Sequence, residues 1–93
     1  MNWIVMMKLT DHGAKSIVDA TKVINEANKT LHEKGGKMKD FYLTLGDVDY
    51  IAICEATKAD TILAFAAKLA STGLVRTTTL KAFTAEQVQQ LVI

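Results

Sequence analysis

Four short stretches of the chain are rich in apolar or β-branched residues. They are residues 3–9, 37–45, 50–54 and 74–83. Each is too short for a typical helix, and each is bounded by glycine or polar residues. The last contains the consecutive β-branched residues Thr77, Thr78 and Thr79, which favour extended backbone. The pattern therefore predicts four β-strands.

Between the first two strands the apolar residues recur at steps of three and four, which is typical of an amphipathic helix. They are Ile17, Ala20, Ile24, Ala27 and Leu31. This spacing predicts a helix over residues 14–34 that ends at Gly35 and Gly36. The segment before it, residues 10–13, predicts a strand-to-helix turn capped by Thr10 or Asp11. Free N–H groups at this turn offer an alternative role as an anion site.

A second helix is predicted after the third strand, with Thr57 as its N-cap and Gly73 after its end. Its predicted buried residues are Ile62, Ala66 and Leu69. Thr84 and Gln87 have the spacing of a capping box, so a short C-terminal helix is expected after the fourth strand.

The predicted order is strand, helix, strand, strand, helix, strand. This order is that of the ferredoxin-like βαββαβ fold, an α+β fold in which two helices cover one face of a four-stranded antiparallel sheet. Its first and third strands are central and its second and fourth are edges. Residues Trp3–Met7 and Tyr50–Cys54 of the predicted central strands carry no charge, which supports this arrangement. The predicted edges carry Lys37, Lys39, Asp40, Arg76 and Lys81, and charges on edges discourage unwanted strand pairing.

The central strands are apolar on both sides, and this suggests an interface. In the third strand Ile51 and Ile53 point one way, while Tyr50, Ala52 and Cys54 point the other way. Two helices cover only one face, so the second face needs another cover. The simplest cover is the same face of a second copy, in a sheet-to-sheet homodimer. The alternative is a C-terminal tail that folds back with Val88, Leu91 and Val92.

Composition limits the class of protein. The chain has 93 residues, 49% of them hydrophobic, and a formal net charge of +1, so one domain over residues 1–93 is expected. The lone Cys54 forms no internal disulfide and is expected to be buried and inert. No apolar run is long enough to span a membrane, no signal peptide pattern occurs, and the charge is too balanced for nucleic acid binding. A cytoplasmic protein without a metal or another cofactor is expected.

Four residues are candidates for chemistry. His12 could carry a proton if it faced a pocket, and Glu55 could accompany it as a catalytic acid or base. Asp49 and Glu55 bracket the third strand on the face of Ile51 and Ile53; solvation or pairing with Arg76 or Lys39 is the alternative. Arg76 is a candidate anion ligand.

Aromatic residues suggest a further site. Tyr42, with Tyr50 and Trp3, could line a cavity between two paired sheets. The alternative is that these side chains belong to the core, which is the commoner place for aromatic residues. Tyr42, Asp49 and Arg76 are accordingly the predicted ligand-binding residues.

Three separated motifs resemble those of the GYD domain family. They are Leu9-Thr10-Asp11 with Gly13, the stretch 37–50 continuing to Glu55-Ala56, and the stretch 73–84. The family is similar to the dimeric α+β barrel proteins, which are ferredoxin-like domains paired through their sheets. Two departures stand out: Val48 replaces the tyrosine of the family's Gly-x-Tyr-Asp motif, and Thr57 replaces a proline. Any role of that tyrosine hydroxyl is therefore not expected to transfer.

The residues and the resemblance together predict a homodimeric, or larger, binding or assembly module. Its ligand would be a small apolar or aromatic molecule in a pocket between sheet and helices. The alternative implied by the resemblance is a cofactor-free oxygenase or isomerase that uses His12, Asp49, Glu55 and Arg76. Convergence of these side chains on one cavity would favour the enzyme.

Overall fold

The computed structural model describes residues 1–92. They form four strands and four helices, and the order of these elements confirms the predicted βαββαβ arrangement with a C-terminal helix. The elements are β1 (Asn2–Leu9), α1 (Asp11–Lys15), α2 (Ile17–Glu33), β2 (Lys37–Leu43), β3 (Tyr50–Glu55), α3 (Ala59–Ala70), β4 (Val75–Ala82) and α4 (Ala85–Val92).

The strands form one antiparallel sheet in the order β2-β3-β1-β4. Strands β1 and β3 are therefore central and β2 and β4 are edges, as predicted; the central strands are charged only near their ends, at Lys8 and Glu55. Val5 of β1 lies opposite Ala52 of β3 and Thr79 of β4. The pairing of β2 with β3 shifts by one residue between Met38 and Asp40, which is a β-bulge on the edge strand.

The core lies between the sheet and the two long helices. Strands contribute Val5, Met7, Tyr50, Ala52, Cys54 and Val75, and the helices contribute Ala20, Ile24, Ala27, Leu31, Ile62, Phe65 and Leu69. Phe65 is the largest fully buried side chain and was not among the predicted core residues, whereas Ala66 is only partly buried. The buried face of α3 therefore includes Ile62, Phe65 and Leu69.

The predicted first helix is wrong at its start, because residues 11–33 form two helices rather than one. Ser16 separates α1 from α2 with φ −137° and ψ 59°, outside the helical region. Thr10 caps α1, since its Oγ1 accepts a hydrogen bond of 3.1 Å from the Gly13 N–H. The same Thr10 hydroxyl donates to the Gly73 carbonyl at 2.6 Å, which ties α1 to the segment before β4. The bond between Thr10 and Gly73 thus holds α1 in place, and α2 begins as a separate helix at Ile17.

Of two further predicted helix starts, that of α3 is wrong and that of α4 is confirmed. The N-cap of α3 is Lys58 rather than Thr57, and it makes no side-chain capping bond. The capping box of α4 is confirmed: the Thr84 N–H donates to Gln87 Oε1 at 2.8 Å and the Gln87 N–H donates to Thr84 Oγ1 at 3.1 Å.

The C-terminal helix does not fold back over the sheet, so that alternative is wrong. None of the residues of α4 is buried, and Leu91 and Val92 are more than 70% exposed. The radius of gyration is 13.8 Å, against about 12.3 Å expected for a compact chain of this length. The helix α4 therefore projects from the sheet-and-helix body.

The sheet surface opposite α2 and α3 is called the open face. It carries Ile4, Met6, Ile51 and Ile53 from the central strands and Tyr42 from β2. The four side chains of the central strands are only partly buried, although Val5 and Ala52 beside them are fully buried on the helix side. The predicted division of β1 and β3 into two apolar faces is thus present.

Candidate functional site

The predicted acid–base residues lie far apart within one copy of the chain. Glu55 pairs with Asn2 at one end of β1, and Arg76 pairs with Lys8 at the other end. Six residues of extended strand separate these positions, a span of about 20 Å. His12 follows β1 in the exposed helix α1, at the Arg76 end of the sheet. A cavity shared by His12, Glu55 and Arg76 is therefore not formed within one copy.

Glu55 makes the surface ion pair that was its predicted alternative. Its carboxylate lies 3.6 Å from Lys39 Nζ, and the two side chains are 53% and 41% exposed. A pair this exposed contributes little to stability because water and salt screen it.

Arg76 borders an open cleft at the other end of the sheet. Lys8, Leu9, Thr10 and Asp11 form its remaining wall, and its volume is about 260 Å³. The cleft therefore combines two cationic side chains with one carboxylate.

Asp49 holds the backbone where β1 ends and β3 begins. Its Oδ2 accepts a hydrogen bond of 2.8 Å from the Leu9 N–H, and its own N–H donates to the Met7 carbonyl at 2.9 Å. Its carbonyl accepts from the Thr44 N–H at 2.8 Å. The Thr44 hydroxyl donates to the carbonyl of Val48 at 2.6 Å, which closes the turn that carries residues 46–49, the position of the Gly-x-Tyr-Asp motif. These bonds give Asp49 a structural task that needs no ligand.

The three aromatic residues do not share one face, so their predicted grouping is wrong. Tyr42 lies on the open face and is 54% exposed. Trp3 and Tyr50 lie on the helix side, because they share the parity of the buried Val5 and Ala52. The Trp3 indole N–H donates to the Ala56 carbonyl at 3.2 Å.

A cavity lies between α2 and the β2–β3 side of the sheet and is more enclosed than the cleft beside Arg76; we call it the α2 cavity. Its volume is about 240 Å³. The lining residues are Thr21, Ile24, Asn25, Asn28, Met38, Phe41 and Tyr50. The Phe41 and Tyr50 rings are stacked with centroids 5.6 Å apart and an interplanar angle of 27°. None of the lining residues is charged.

Sequence reasoning predicted a small pocket on this side of the sheet but did not name its residues. One signal was present: Asn25 and Asn28 stand one turn apart beside the buried Ile24. Asparagine is a poor residue for a helix interior. Two of them next to the buried stripe mark a polar rim on the apolar cavity.

A second, shallower groove lies between α3 and the β1–β4 side of the sheet; we call it the α3 groove. Its volume is about 220 Å³, and its walls include Trp3, Leu63, Ala66 and Thr79. Leu63 is 67% exposed there.

Cys54 is the buried thiol that the sequence predicts, and it faces the core from β3. Its side chain is fully buried, and this burial raises its pKa from 9.0 to about 11 because the thiolate would lose its hydration. The thiol therefore stays protonated at neutral pH and is a poor nucleophile there.

The raised pKa of Cys54 predicts a loss of stability at alkaline pH. Between pH 9 and 11 the unfolded chain gives up the thiol proton while the folded chain keeps it. The free energy of unfolding therefore falls as pH rises, by about 2 kcal/mol at pH 10.5 from this thiol alone. Urea denaturation at pH 8 and pH 10.5 measures the loss, and Cys54→Ala should lose about 2 kcal/mol less than the wild type. Equal losses in both proteins would contradict the assignment.

Within residues 1–92, no group of three or more His, Cys, Asp or Glu side chains is placed to hold a metal ion. No helix in the same range is long and apolar enough to cross a membrane.

Several proteins of known structure share this fold, among them the two that follow. A 5-chloro-2-hydroxyhydroquinone dehydrochlorinase from Burkholderia phenoliruptrix AC1100, in complex with 2,5-dihydroxybenzoquinone, superposes with a TM-score of 0.68 at 16% identity. The match covers 92% of this chain and 97% of that protein. A protein from Thermus thermophilus superposes with a TM-score of 0.56 at 17% identity, over 90% and 94% of the two chains. At these identities the likeness extends to the fold alone.

Comparison of sequences shows similarity beyond the fold. A glutamine synthetase and cystathionine beta-lyase binding protein from Thermus thermophilus is 37% identical over 81 residues, which are 86% of this chain and 85% of the relative. The family model of the GYD domain matches residues 3–92, and this range contains all three motifs that carried the resemblance. The chain belongs to the GYD domain family.

Proposed function

We propose that this protein is a cytoplasmic, self-associating binding module. Two copies pair through the open face, and each copy keeps a small apolar cavity between its sheet and its helices. The observation that carries the proposal is the open face itself, where Ile4, Met6, Ile51 and Ile53 lie together on the two central strands.

The layout of the open face fits that of an interface. Apolar side chains occupy its central strands, and charged residues surround them: Lys8 and Arg76 at one end, Lys39 and Glu55 at the other, and Asp40 on the β2 edge. An apolar centre with a polar rim is the usual anatomy of a protein–protein contact.

The size of the face is also adequate. Four strands of six to eight residues give a flat projection of roughly 450 Å² per copy, from the standard spacings of a sheet. Two such faces approach the ~1000 Å² at which specific interfaces begin, before side-chain relief is added. Leu80 on β4 and Tyr42 on β2 extend the apolar area to both edges.

Sedimentation velocity of the wild-type chain at about 10 µM tests the pairing, since a micromolar or tighter dimer is mostly assembled at that concentration. The mass of one chain is 10.2 kDa, so a dimer sediments as a species of twice this mass. A monomer at this concentration contradicts the proposal. A larger species would retain self-association and require a second contact.

The separation of Glu55 from His12 and Arg76 favours this binding module over an oxygenase or isomerase that would use all three. General acid–base chemistry needs its groups within hydrogen-bond reach of one substrate. Glu55 and Arg76 lie at opposite ends of the sheet, and Glu55 is already paired with Lys39.

A second candidate function is docking onto a larger enzyme through α4. The relative from Thermus thermophilus is named for binding glutamine synthetase and cystathionine beta-lyase. In this chain α4 projects from the body and exposes Val88, Leu91 and Val92 at helical spacing. An exposed amphipathic helix is a common element for docking into the groove of a partner.

Binding to purified glutamine synthetase from the same host tests this role of α4. Leu91→Glu places a charge in the apolar stripe and is expected to weaken binding at least tenfold, or about 1.4 kcal/mol. Gln89→Glu adds the same charge beside the stripe and is the matched control. Biolayer interferometry gives both affinities. Equal affinity of the two variants would contradict docking by the apolar stripe.

A further inference from the structure

We propose that the α2 cavity binds a neutral molecule with a single aromatic ring and a hydrogen-bonding substituent, such as a ring hydroxyl. The inference rests on the proposed binding function and names the chemical class of its ligand. It follows from one tyrosine, from the size of the cavity, and from the character of its walls and rim.

Tyr50 points to a ligand because its hydroxyl has no partner in the described chain. The residue is only 7% exposed, yet its hydroxyl makes no hydrogen bond to any other residue in the range 1–92. Every fully enclosed side-chain nitrogen or oxygen in the same range does have a partner. The Tyr50 hydroxyl is therefore not fully enclosed. Because Tyr50 lines the α2 cavity, we infer that the hydroxyl is accessible from it, free to donate or accept.

The volume of the α2 cavity fits a ligand with a single ring. A protein cavity of about 150 Å³ is large enough for benzene. In proportion, the α2 cavity with its 240 Å³ holds about ten non-hydrogen atoms. It lies below the range of about 300–1,000 Å³ that is usual for drug-sized ligands. A ring with small substituents fits, and a fused polycyclic molecule exceeds the space.

The walls favour an aromatic ring. Phe41 and Tyr50 present a stacked pair of rings, and Ile24 and Met38 complete the apolar lining. Aromatic pairs in offset or edge-to-face geometry are attractive beyond their buried area. The Met38 thioether adds a favourable contact with a ring, and its flexible side chain adapts to substituents.

The rim selects a neutral, hydrogen-bonding ligand. Thr21, Asn25 and Asn28 stand at successive turns of α2 above the apolar lining. The Thr21 hydroxyl already donates to the Ile17 carbonyl at 2.9 Å, so it offers an acceptor, while the amides offer both donors and acceptors. No cationic side chain lines the cavity, so an ionised carboxylate would lose its hydration without compensation.

The α3 groove does not offer the same selection. Its walls are mainly apolar, with Asp60 and Thr79 as the polar lining residues besides Trp3, and it is shallower. The Trp3 indole N–H is already bonded to the Ala56 carbonyl. An apolar molecule could lie there, but no free buried donor or acceptor would orient it.

Three probes of similar size test the assignment on the full chain: p-cresol, toluene and benzoate. Isothermal titration calorimetry is expected to give p-cresol a Kd of about 0.1 to 1 mM, as a small ligand with high efficiency per atom allows. Toluene should bind about fivefold more weakly because it cannot bond to Tyr50, and benzoate should not bind measurably. Benzoate as the tightest of the three, or no saturable binding of p-cresol, would overturn the assignment.

Two variants locate the site. Tyr50→Phe keeps the ring and removes the hydroxyl, so it should weaken p-cresol binding about fivefold and leave toluene unchanged. Ala66→Trp fills the α3 groove and should leave the affinity for p-cresol unchanged. Loss of p-cresol binding in Ala66→Trp, or an unaltered preference for p-cresol over toluene in Tyr50→Phe, would refute the site.

Two further measurements keep the outcomes separate. If Tyr50→Phe fails to fold, chemical-shift perturbation of the wild type decides: p-cresol should move the Asn25 and Asn28 side-chain amides and the Met38 methyl, and shifts centred on Trp3 would refute the site. Sedimentation of the same wild-type samples reports pairing independently. A dimer that binds no p-cresol overturns the ligand class alone, whereas a monomer that binds it overturns only the pairing.

Discussion

Gly13→Ala is expected to destabilise the folded chain by about 3 to 5 kcal/mol, which is a large part of the stability of a small domain. A Cβ atom on Gly13 would overlap the carbonyl oxygen of Leu74, and it would lie 3.0 Å from the carbonyl carbon of that residue. It would also lie 3.1 Å from Leu9 Cδ2. Because the main obstacle is backbone, the clash cannot be relieved by turning a side chain.

The cost is large because the backbone that must move is already bonded. The Leu74 carbonyl accepts a hydrogen bond of 3.0 Å from the Thr10 N–H, and the Thr10 hydroxyl donates to Gly73. Moving α1 away from Leu74 stretches both bonds and disturbs the end of β1. The close approach of Leu74 explains why glycine occupies position 13 of the motif formed by Leu9-Thr10-Asp11 and Gly13.

Urea denaturation followed by circular dichroism measures the effect of Gly13→Ala, and Gly35→Ala is its control. Gly35 has φ +89°, but a Cβ there meets no atom within 4 Å. Its substitution is therefore strained only by its backbone angle and should cost about 1 kcal/mol. A Gly13→Ala variant as stable as Gly35→Ala would show that α1 can move freely.

The sheet could be predicted from the sequence because its signals are local. Alternation separates Ile51 and Ile53 from Ala52, and the charges of β2 and β4 identify the edges. The break at Ser16 could not be found in this way. The apolar spacing of α2 begins only at Ile17, and what forces α1 into a separate helix is the contact of Gly13 with Leu74, which is distant in sequence.

The candidate site was predictable only in outline. The alternation of side chains along β3 placed Tyr50 and Ile51 on different faces of the sheet. It could not show that the Tyr50 hydroxyl lacks a partner. Asp49 was predicted to share the face of Ile51, whereas its carboxylate is bonded to the Leu9 N–H. That bond depends on where β1 ends relative to β3, which is a property of register and not of the local pattern.

Ile53→Asp is expected to raise the dissociation constant of the proposed dimer at least 100-fold. Ile53 lies on the central strand β3, on the open face, opposite Ile4 and Asp40. In a symmetric pair each substitution occurs twice, so two apolar contacts are lost and two carboxylates are brought into an apolar centre. A loss of about 1.5 kcal/mol per copy gives about 3 kcal/mol in total, which corresponds to this factor.

The matched control is Leu63→Asp, which makes a similar exchange on the helix side. Leu63 is 67% exposed on α3, so its change should leave both the fold and the dimer intact. Sedimentation velocity from about 1 to 100 µM separates the two variants, because the range spans the affinity expected of a micromolar dimer. Far-ultraviolet circular dichroism shows whether Ile53→Asp is still folded.

Thermal melting adds a readout that tertiary damage alone would not reproduce. Pairing that involves only the folded state makes the Tm rise with protein concentration. The wild type and Leu63→Asp should show this rise, and Ile53→Asp should melt at one temperature whatever its concentration. If Leu63→Asp loses the concentration dependence and Ile53→Asp keeps it, the copies pair through the helix side. The half-buried isoleucines of β1 and β3 would then have to be stable in water, against the reasoning that identified the open face.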